Sequence, residues 1–185
     1  ADHLAAFAAG NCIGTGEYIG NSTYKLVMRG VVSDGTNIEV KYYSSKLGYI
    51  FTAPAVTSFA NNSVIGTASQ PKNLAIDLNG KHPLQMDACF TLTGSLANLG
   101  STSDLMAAFV GNECRGVAQV KTVGTSQTIY VMTINGSIGA SEKITLKYYS
   151  SRAQKLYESQ VAITFEAGKQ VGTEYAPTAI QFSQQ

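Results

Sequence analysis

Apolar and polar residues alternate along much of this chain with the period of two that is typical of β-strands. Because successive strand side chains point to opposite faces of a sheet, one set in each alternating segment should face a core: Ile38, Val40 and Tyr42, and later Ile144, Leu146 and Tyr148. The residues between them, which include Tyr43 and Tyr149, should face solvent. Turn-forming residues lie at 33–35, 79–80 and 135–136. Short strands separated by frequent turns predict an all-β protein built as a β-sandwich.

The sequence repeats itself. The segment from Asp2 to Gly14 matches the segment from Asp104 to Gly116 at a constant offset of 102, and residues 41–45 recur as 147–151 at an offset of 106. A residue that the fold needs should occur in both copies, so we expect structural roles for four matched pairs: Asp2 and Asp104, Phe7 and Phe109, Tyr42 and Tyr148, and Gly66 and Gly172. A module of about 100 residues can bury a core of its own. The repeat therefore predicts two tandem β-sandwich domains, residues 1–79 and 84–185.

The two copies differ at their beginnings. Residues 86–94 alternate like a strand ahead of the second copy, whereas only Ala1 precedes Asp2 in the first. Either the first domain was cut from a longer protein, or it lacks its first strand by design. A missing strand would leave an open sheet edge with which another chain could pair.

Composition narrows the function classes. The formal net charge is +1 and lysines and arginines form no run, so nucleic-acid binding is not expected. No apolar stretch approaches the ~20 residues that span a bilayer, so we expect no membrane span. Only 14% of the residues are charged, and glycines number 18, a profile that favours an exported all-β protein.

The three cysteines, an odd number, do not make a disulfide framework. Cys12 and Cys114 occupy equivalent positions in the two copies. Buried free thiols are one interpretation, and a Cys89–Cys114 bond within the second copy is the other.

The sequence does not predict catalytic, metal or cofactor sites. The glycines of 14–20 precede a predicted strand rather than the helix that a phosphate loop needs. Asp2 and Asp104 fit Asx turns, although each could also be a calcium ligand. His3 and His82 are the only histidines, and both fall at a predicted terminus or linker, away from any nucleophile. We therefore expect no enzyme.

Residues 104–118, DLMAAFVGNECRGVA, resemble a signature of repeated immunoglobulin-like β-sandwich modules in exported proteins of Bacteroidetes. The preceding FTLTG of 90–94 and the later ITLKYY of 144–149 are similar to other parts of those modules. The resemblance implies a secreted or cell-surface location within a larger protein. The first copy departs from the signature, since Ile13 replaces Arg115 and Asn11 replaces Glu113.

Four residues are candidates for ligand binding. Tyr43 and Tyr149 are predicted to be exposed aromatics, which offer faces to sugars or to protein partners, although they could instead cover the flank of a sheet. Glu113 and Arg115 are most simply a surface ion pair. The sequence thus favours a non-enzymatic spacer or interaction module. Carbohydrate binding through the tyrosines is the alternative, and a hydrolase domain is third.

Overall fold

The computed structural model describes residues 1–75, 82–124, 127–137 and 141–184. These residues form strands and one 3₁₀ turn, Gly94–Leu96, and they contain no α-helix. The chain divides into two compact units, unit 1 (Ala1–Asp77) and unit 2 (Leu78–Gln185). The protein is therefore all-β, and most of its strand pairs are antiparallel. The turn predicted at 79–80 lies outside the described residues.

The strands of unit 1 follow one another in a path ordered β3-β2-β1-β4-β5. Their bounds are β1 (His3–Ala8), β2 (Asn11–Gly20), β3 (Thr23–Leu26), β4 (Asn37–Ser44) and β5 (Tyr49–Ser58). The long strand β2 pairs with β1 through its first half and with β3 through its second half. Alternate residues of β1 and β4 form the core of the unit, because the period of two brings Leu4, Ala6, Ile38 and Val40 to one face.

Unit 2 contains the remaining strands of the described chain. They are β6 (Leu84–Leu92), β7 (Leu105–Val110), β8 (Glu113–Val117), β9 (Gln119–Val123), β10 (Gln127–Gly136), β11 (Lys143–Ser150), β12 (Lys155–Ser159), β13 (Ile163–Thr164), β14 (Gln170–Val171), β15 (Thr178–Ile180) and β16 (Phe182–Gln184). One sheet has the order β14-β6-β10-β9, with β15 also paired to β6, and the other has the order β16-β12-β11-β7-β8. Both sheets contribute to one core, which includes Phe90, Met106, Tyr130, Leu146 and Tyr148.

The repeat in the sequence is a repeat in the strand order. Strands β1, β3 and β4 correspond to β7, β10 and β11, and the single strand β2 corresponds to β8 and β9 together. Strand β6 has no counterpart among the described residues of unit 1. The inward positions predicted from alternation also agree in β11, where Ile144, Leu146 and Tyr148 are fully buried.

The turn predicted at 135–136 is wrong, because both residues belong to β10 and pair with Gln85 and Leu84. The Asn-Gly pair suggested that Gly136 serves a turn, but packing explains this glycine instead. A Cβ atom there would lie 2.3 Å from the ring of Phe165, so the ring occupies the space of a side chain. Asn135 is buried and donates from Nδ2 to the carbonyl of Arg115.

The expectation of buried thiols holds for two of the three cysteines. All three are free, and Cys89 and Cys114 are buried, but Cys12 is exposed. Burial raises the pKa of Cys114 to about 11, so this thiol is protonated at neutral pH.

Candidate functional site

The most distinctive feature of unit 1 is a place that a strand fills in unit 2. In unit 2, β6 lies between β10, with which it pairs antiparallel, and the short strands β14 and β15, with which it pairs parallel. Its inward side chains, which include Met86 and Phe90, are completely buried. Strand β6 thus closes the core of unit 2 on this side.

In unit 1 the counterpart of β10 is an open edge. Within the described part of the chain, β3 pairs with β2 alone. It is four residues long, whereas β10 is ten. Because β3 has one strand neighbour in the described part of the chain and β10 has two, β3 makes fewer ladder hydrogen bonds. Residues 27–30 continue from β3 without strand pairing, and Arg29 donates its amide to the carbonyl of Ile13.

The opposite wall is formed by residues 64–74, which correspond to β14 and β15. The turn within this segment is the same in both units: Thr67 and Gln70 exchange two backbone hydrogen bonds, as Thr173 and Ala176 do. Gly66 has a positive φ of 69°, and Gly172 has a φ of 71°. The turn of this wall is therefore the same in both units.

Several apolar side chains of this wall are exposed. Val64 is 83% exposed, Ile65 is 37% and Leu74 is 39%. Their counterparts Val171 and Ile180 in unit 2, at the positions of Ile65 and Leu74, pack against the core. Exposed apolar residues that are clustered rather than scattered indicate a binding surface.

Between the two walls lies the open groove, which we define by residues 23–30 on one side and 64–74 on the other. Its volume is about 1560 Å³. Pockets for small molecules usually measure about 300–1,000 Å³, so the groove is large for such a ligand. Its floor is the core of unit 1, including Leu4, Ile38 and Val40.

The rim of the open groove is positively charged. Lys25, Arg29 and Lys72 line it, and among the described residues Asp2 is the acidic one that reaches it. Asp2 is already engaged, since it accepts hydrogen bonds from Tyr42 Oη at 2.5 Å and from Ser45 N at 2.8 Å. The groove therefore combines an apolar floor with a cationic rim.

Asp2 and Asp104 hold equivalent positions at one end of each core. Asp104 is buried and accepts hydrogen bonds from the hydroxyls of Tyr130 and Tyr148, both at 2.8 Å, and from Ser151. Burial alone would raise the pKa of Asp104, but these hydrogen bonds together hold it below its ordinary value. The carboxylate also accepts the amide of Ser101, so it closes a local turn as well as joining the two sheets.

Other matched residues also have equivalent surroundings. The Lys41 amine lies 4.6 Å from the centre of the Phe7 ring, and the Lys147 amine lies 4.9 Å from that of Phe109. Both rings are therefore covered by a cation.

The predicted pair Glu113 and Arg115 belongs to a polar cluster in unit 2, and the expectation of a surface pair is wrong because Arg115 is only 4% exposed. Its guanidinium contacts Glu113 at 3.3 Å and forms a forked pair with Glu142 at 2.8 and 3.2 Å. Burial alone would raise the pKa of Glu142, but the Ser137 amide and Arg115 hold it below its ordinary value. In unit 1 the corresponding residues are Ile13 and Thr36, so the cluster is specific to unit 2.

His82 completes this cluster, and its expected place in a linker is wrong because the side chain is buried in unit 2. Its Nδ1 lies 2.8 Å from Ser137 Oγ. Its Nε2 lies 3.2 Å from Glu113 Oε1 but without the alignment of a hydrogen bond. A serine, a histidine and an acid in a row can serve nucleophilic catalysis. In this cluster the acid, Glu113, also contacts Arg115. The contacts of Glu113, His82 and Ser137 link β8 to the residues just before β6 and just after β10.

The two candidate tyrosines lie in different units and have different surroundings. Tyr43 is 36% exposed and its ring stacks at 6.3 Å on His3. Tyr149 is half-buried and donates its hydroxyl to Gln154 Oε1. Each is on the outer face of a sheet, as alternation predicts, but each also contacts a neighbour on its own unit.

Comparison with family models, with curated proteins and with solved structures gives no match to this chain. In the described ranges, no three His, Cys, Asp or Glu side chains are grouped so as to hold a metal ion. The same residues include no helix of the length and hydropathy that crossing a membrane requires. The open groove therefore has to be interpreted from its own residues and from its filled counterpart in unit 2.

The comparison between the copies predicts an open sheet edge in unit 1 as one of two interpretations of residues 86–94. It did not identify the second wall. The signal was present, since Ile65 and Leu74 are equivalent to Val171 and Ile180 at the offset of 106. The sequence does not show that β14 and β15 flank β6, so this equivalence alone does not predict a wall.

Proposed function

We propose that this chain is a non-enzymatic interaction module of a larger exported bacterial protein, built from two tandem immunoglobulin-like β-sandwiches. The open groove of unit 1 is its binding surface, and unit 2 is a closed sandwich that serves as a spacer. The observation that carries the proposal is that equivalent core positions are covered by β6 in unit 2 and open to a groove in unit 1. The resemblance of residues 104–118 to surface modules supports a secreted or cell-surface location.

Binding to polypeptides can be separated from binding to sugars by screening the whole chain against an array of unstructured peptides and an array of glycans. We expect peptide signals that Ile65→Glu and Leu74→Glu abolish, because each places a charge in the apolar wall of the groove. Both positions are already partly exposed, so the variants should fold. Ile50→Glu is the matched control, since Ile50 is an exposed residue of β5 outside the groove.

Carbohydrate binding through Tyr43 is the second candidate, favoured by its exposure and by the ring of His3 stacked on it. A glycan signal that Tyr43→Ala removes and Ile65→Glu retains would establish this alternative. The same result would contradict a binding role for the groove if the peptide array remained silent.

A further inference from the structure

The surface of unit 2 carries a depression on the outer face of the sheet with the order β14-β6-β10-β9. We call it the outer cleft and define it by its lining residues on β6, β8, β9 and β10 and at positions 170, 173 and 174. Its volume is about 500 Å³, which lies within the range of small-molecule sites, roughly 300–1,000 Å³. All of these residues belong to unit 2, so the outer cleft is a different site from the open groove.

Strand alternation forms the floor of the outer cleft. In the pairing of β6 with β10, Asp87 lies opposite Thr133 and Cys89 lies opposite Val131. These side chains point away from the core, because Ala88, which lies between the two β6 residues, packs in the core. The floor is therefore apolar at Cys89 and Val131 and polar at Asp87 and Thr133.

An ion pair holds one wall of the outer cleft over this floor. Lys121 of β9 donates to Glu174 Oε1 at 2.5 Å, and Glu174 lies in the turn between β14 and β15. Strands β6 and β10 lie between these two residues in the order of the sheet. The pKa of Cys89 is raised by burial and by Glu174, while Lys121 opposes the rise, so both charges lie near the thiol. Cys89 is only 3% exposed although it points out of the sheet.

The lining of the outer cleft offers both acceptors and donors of hydrogen bonds. Thr133 donates to one oxygen of Asp87 at 2.7 Å, and Lys121 donates to one oxygen of Glu174. Among these contacts of the described residues, the second oxygen of each carboxylate is left to accept from a ligand. The side-chain amides of Gln119 and Gln170, which also line the cleft, each add donors and an acceptor.

These groups suit a neutral sugar better than a charged or an apolar ligand. Two carboxylates repel an anion, and the donors that Asp87 and Glu174 already accept weaken the attraction for a cation. A wholly apolar ligand would leave the polar lining without hydrogen bonds, which costs free energy. The hydroxyls of a sugar can instead donate to the carboxylates and accept from the amides.

An exposed aromatic ring stands next to the outer cleft in sequence. Tyr175 follows Glu174 in the turn and is 96% exposed. Thr173 and Ala176 exchange two backbone hydrogen bonds, which close this turn. The face of an aromatic ring offers a platform for a sugar ring. Ser69 and Ala68 are the counterparts of Tyr175 and Glu174 in unit 1, so the fold does not need either residue and both are specific to unit 2.

We propose that the outer cleft binds one neutral sugar unit of a glycan and that Tyr175 stacks on the adjoining sugar unit. Asp87 and Glu174 accept hydrogen bonds from its hydroxyls, and Gln119 and Gln170 donate to them. This inference does not depend on the binding role of the open groove, because every residue in it belongs to unit 2. It adds a ligand site to the unit that otherwise serves as a spacer.

Titration of the intact 185-residue chain with sugars, followed by amide chemical shifts, tests the inference. The probes are four neutral disaccharides: cellobiose, lactose, mannobiose and diacetylchitobiose. Glucuronate and methylammonium are the anionic and cationic controls. We expect at least one disaccharide to shift the amides of Gln119, Gln170 and Glu174 at concentrations up to about 20 mM, since an open site with few contacts binds weakly. The two charged controls should leave these amides unchanged.

Variants locate the site. Gln170→Ala and Tyr175→Ala should each weaken binding at least ~fivefold, because one removes a hydrogen bond and the other a stacking face. Both side chains are exposed, so both variants should fold. Gln160→Ala and Tyr43→Ala are the matched controls, an exposed glutamine outside the cleft and an exposed tyrosine of unit 1, and both should keep the affinity of the unmodified chain.

The other outcomes overturn the inference in distinguishable ways. No shift of the cleft amides with any of the four disaccharides would overturn it, and it would leave the open groove untouched, since peptides test that site. Shifts that Tyr43→Ala removes and Tyr175→Ala retains would move sugar binding to unit 1. Shifts of the cleft amides by methylammonium as large as those by the disaccharides would make the cleft a site for cations.

Discussion

A carboxylate at the start of each repeat accepts hydrogen bonds from a tyrosine and a serine of its own unit. Asp104 accepts the hydroxyls of Tyr130 and Tyr148, which are themselves fully buried, while Asp2 accepts Tyr42 and Ser45 in a more open setting. Asp104 therefore joins β10 to β11, whereas the partners of Asp2 lie at the end of β4 and just after it. Because the hydrogen bonds hold the pKa of both carboxyls below the ordinary value of 3.8, each stabilises its unit in the ionised form.

Asp104→Asn should therefore destabilise unit 2 more than Asp2→Asn destabilises unit 1. An amide cannot accept all of the donors that meet at Asp104, and we expect a loss of about 3 kcal/mol at pH 7, against about 1 kcal/mol for Asp2→Asn. Urea unfolding followed by hydrogen exchange reports each unit separately. Equal losses in the two units would show that burial does not decide the cost.

The pH dependence gives a second measurement on the same variant. The stability that Asp104 provides is present above the pKa of the unfolded carboxyl, near 3.8, and is lost as the pH falls through the lower pKa of the folded form. Unit 2 of the unmodified chain should lose stability on acidification below about pH 4, and Asp104→Asn should reduce that loss. Identical acid profiles of the two proteins would contradict the assignment.

Arg115 provides a test in which unit 1 supplies the replacement residues. Arg115→Ile leaves the largely covered Glu142, whose side chain is 11% exposed, without its cation, and we expect unit 2 to lose about 3 kcal/mol. The double variant with Glu142→Thr reproduces the pair Ile13 and Thr36 of unit 1, and it should recover a large part of the loss. Thermal unfolding of both variants makes the comparison. If the double variant were less stable than Arg115→Ile, the ion pair would not explain the cost.

At the scale of a strand, Gly136 of β10 and its counterpart Gly30, which follows β3, have different surroundings. A Cβ at Gly136 would lie 2.3 Å from the Phe165 ring, whereas the nearest atom to a Cβ at Gly30 is Ile13 Cγ2 at 3.4 Å. We expect Gly136→Ala to cost about 2 kcal/mol through overpacking. Gly30→Ala should be close to neutral. Differential scanning calorimetry would measure both, and a neutral Gly136→Ala would mean that the ring moves aside easily.

Strand alternation made the inner faces of β4 and β11 predictable, because a period of two assigns every side chain to a face from residues 38–42 and 144–148 alone. Alternation could not predict that Asn135 and Gly136 continue β10, since the pair is also a turn signal. The ring of Phe165, thirty residues away in sequence, decides between the two. Likewise, the sequence predicts His82 in a linker because nothing local shows that Glu113 and Ser137 lie beside it.

At the scale of the whole molecule, one chain carries a closed unit and an open unit built from the same strands. The sequence predicted the duplication, which is visible as the constant offset of 102 between Asp2 and Asp104. It also predicted a strand at residues 86–94, for which the first copy shows no match. The parallel pairing of β14 and β15 with β6 was not predictable, because two- and three-residue strands leave no periodic pattern. The equivalent segment of unit 1, residues 64–74, is the second wall of the groove.

The central claim is that the edge of β3 is open in unit 1 and that its counterpart in β10 is covered by β6. Amide hydrogen exchange on the free, intact chain measures this directly, with the two units compared in one sample. Amides of Tyr24, Leu26 and Met28 should exchange at least ~100-fold faster than those of Tyr130, Met132 and Ile134, because opening is local at an edge strand and requires more extensive unfolding in a central one. Equal protection at the two sets of positions would show that the edge of β3 is covered, and would contradict the account.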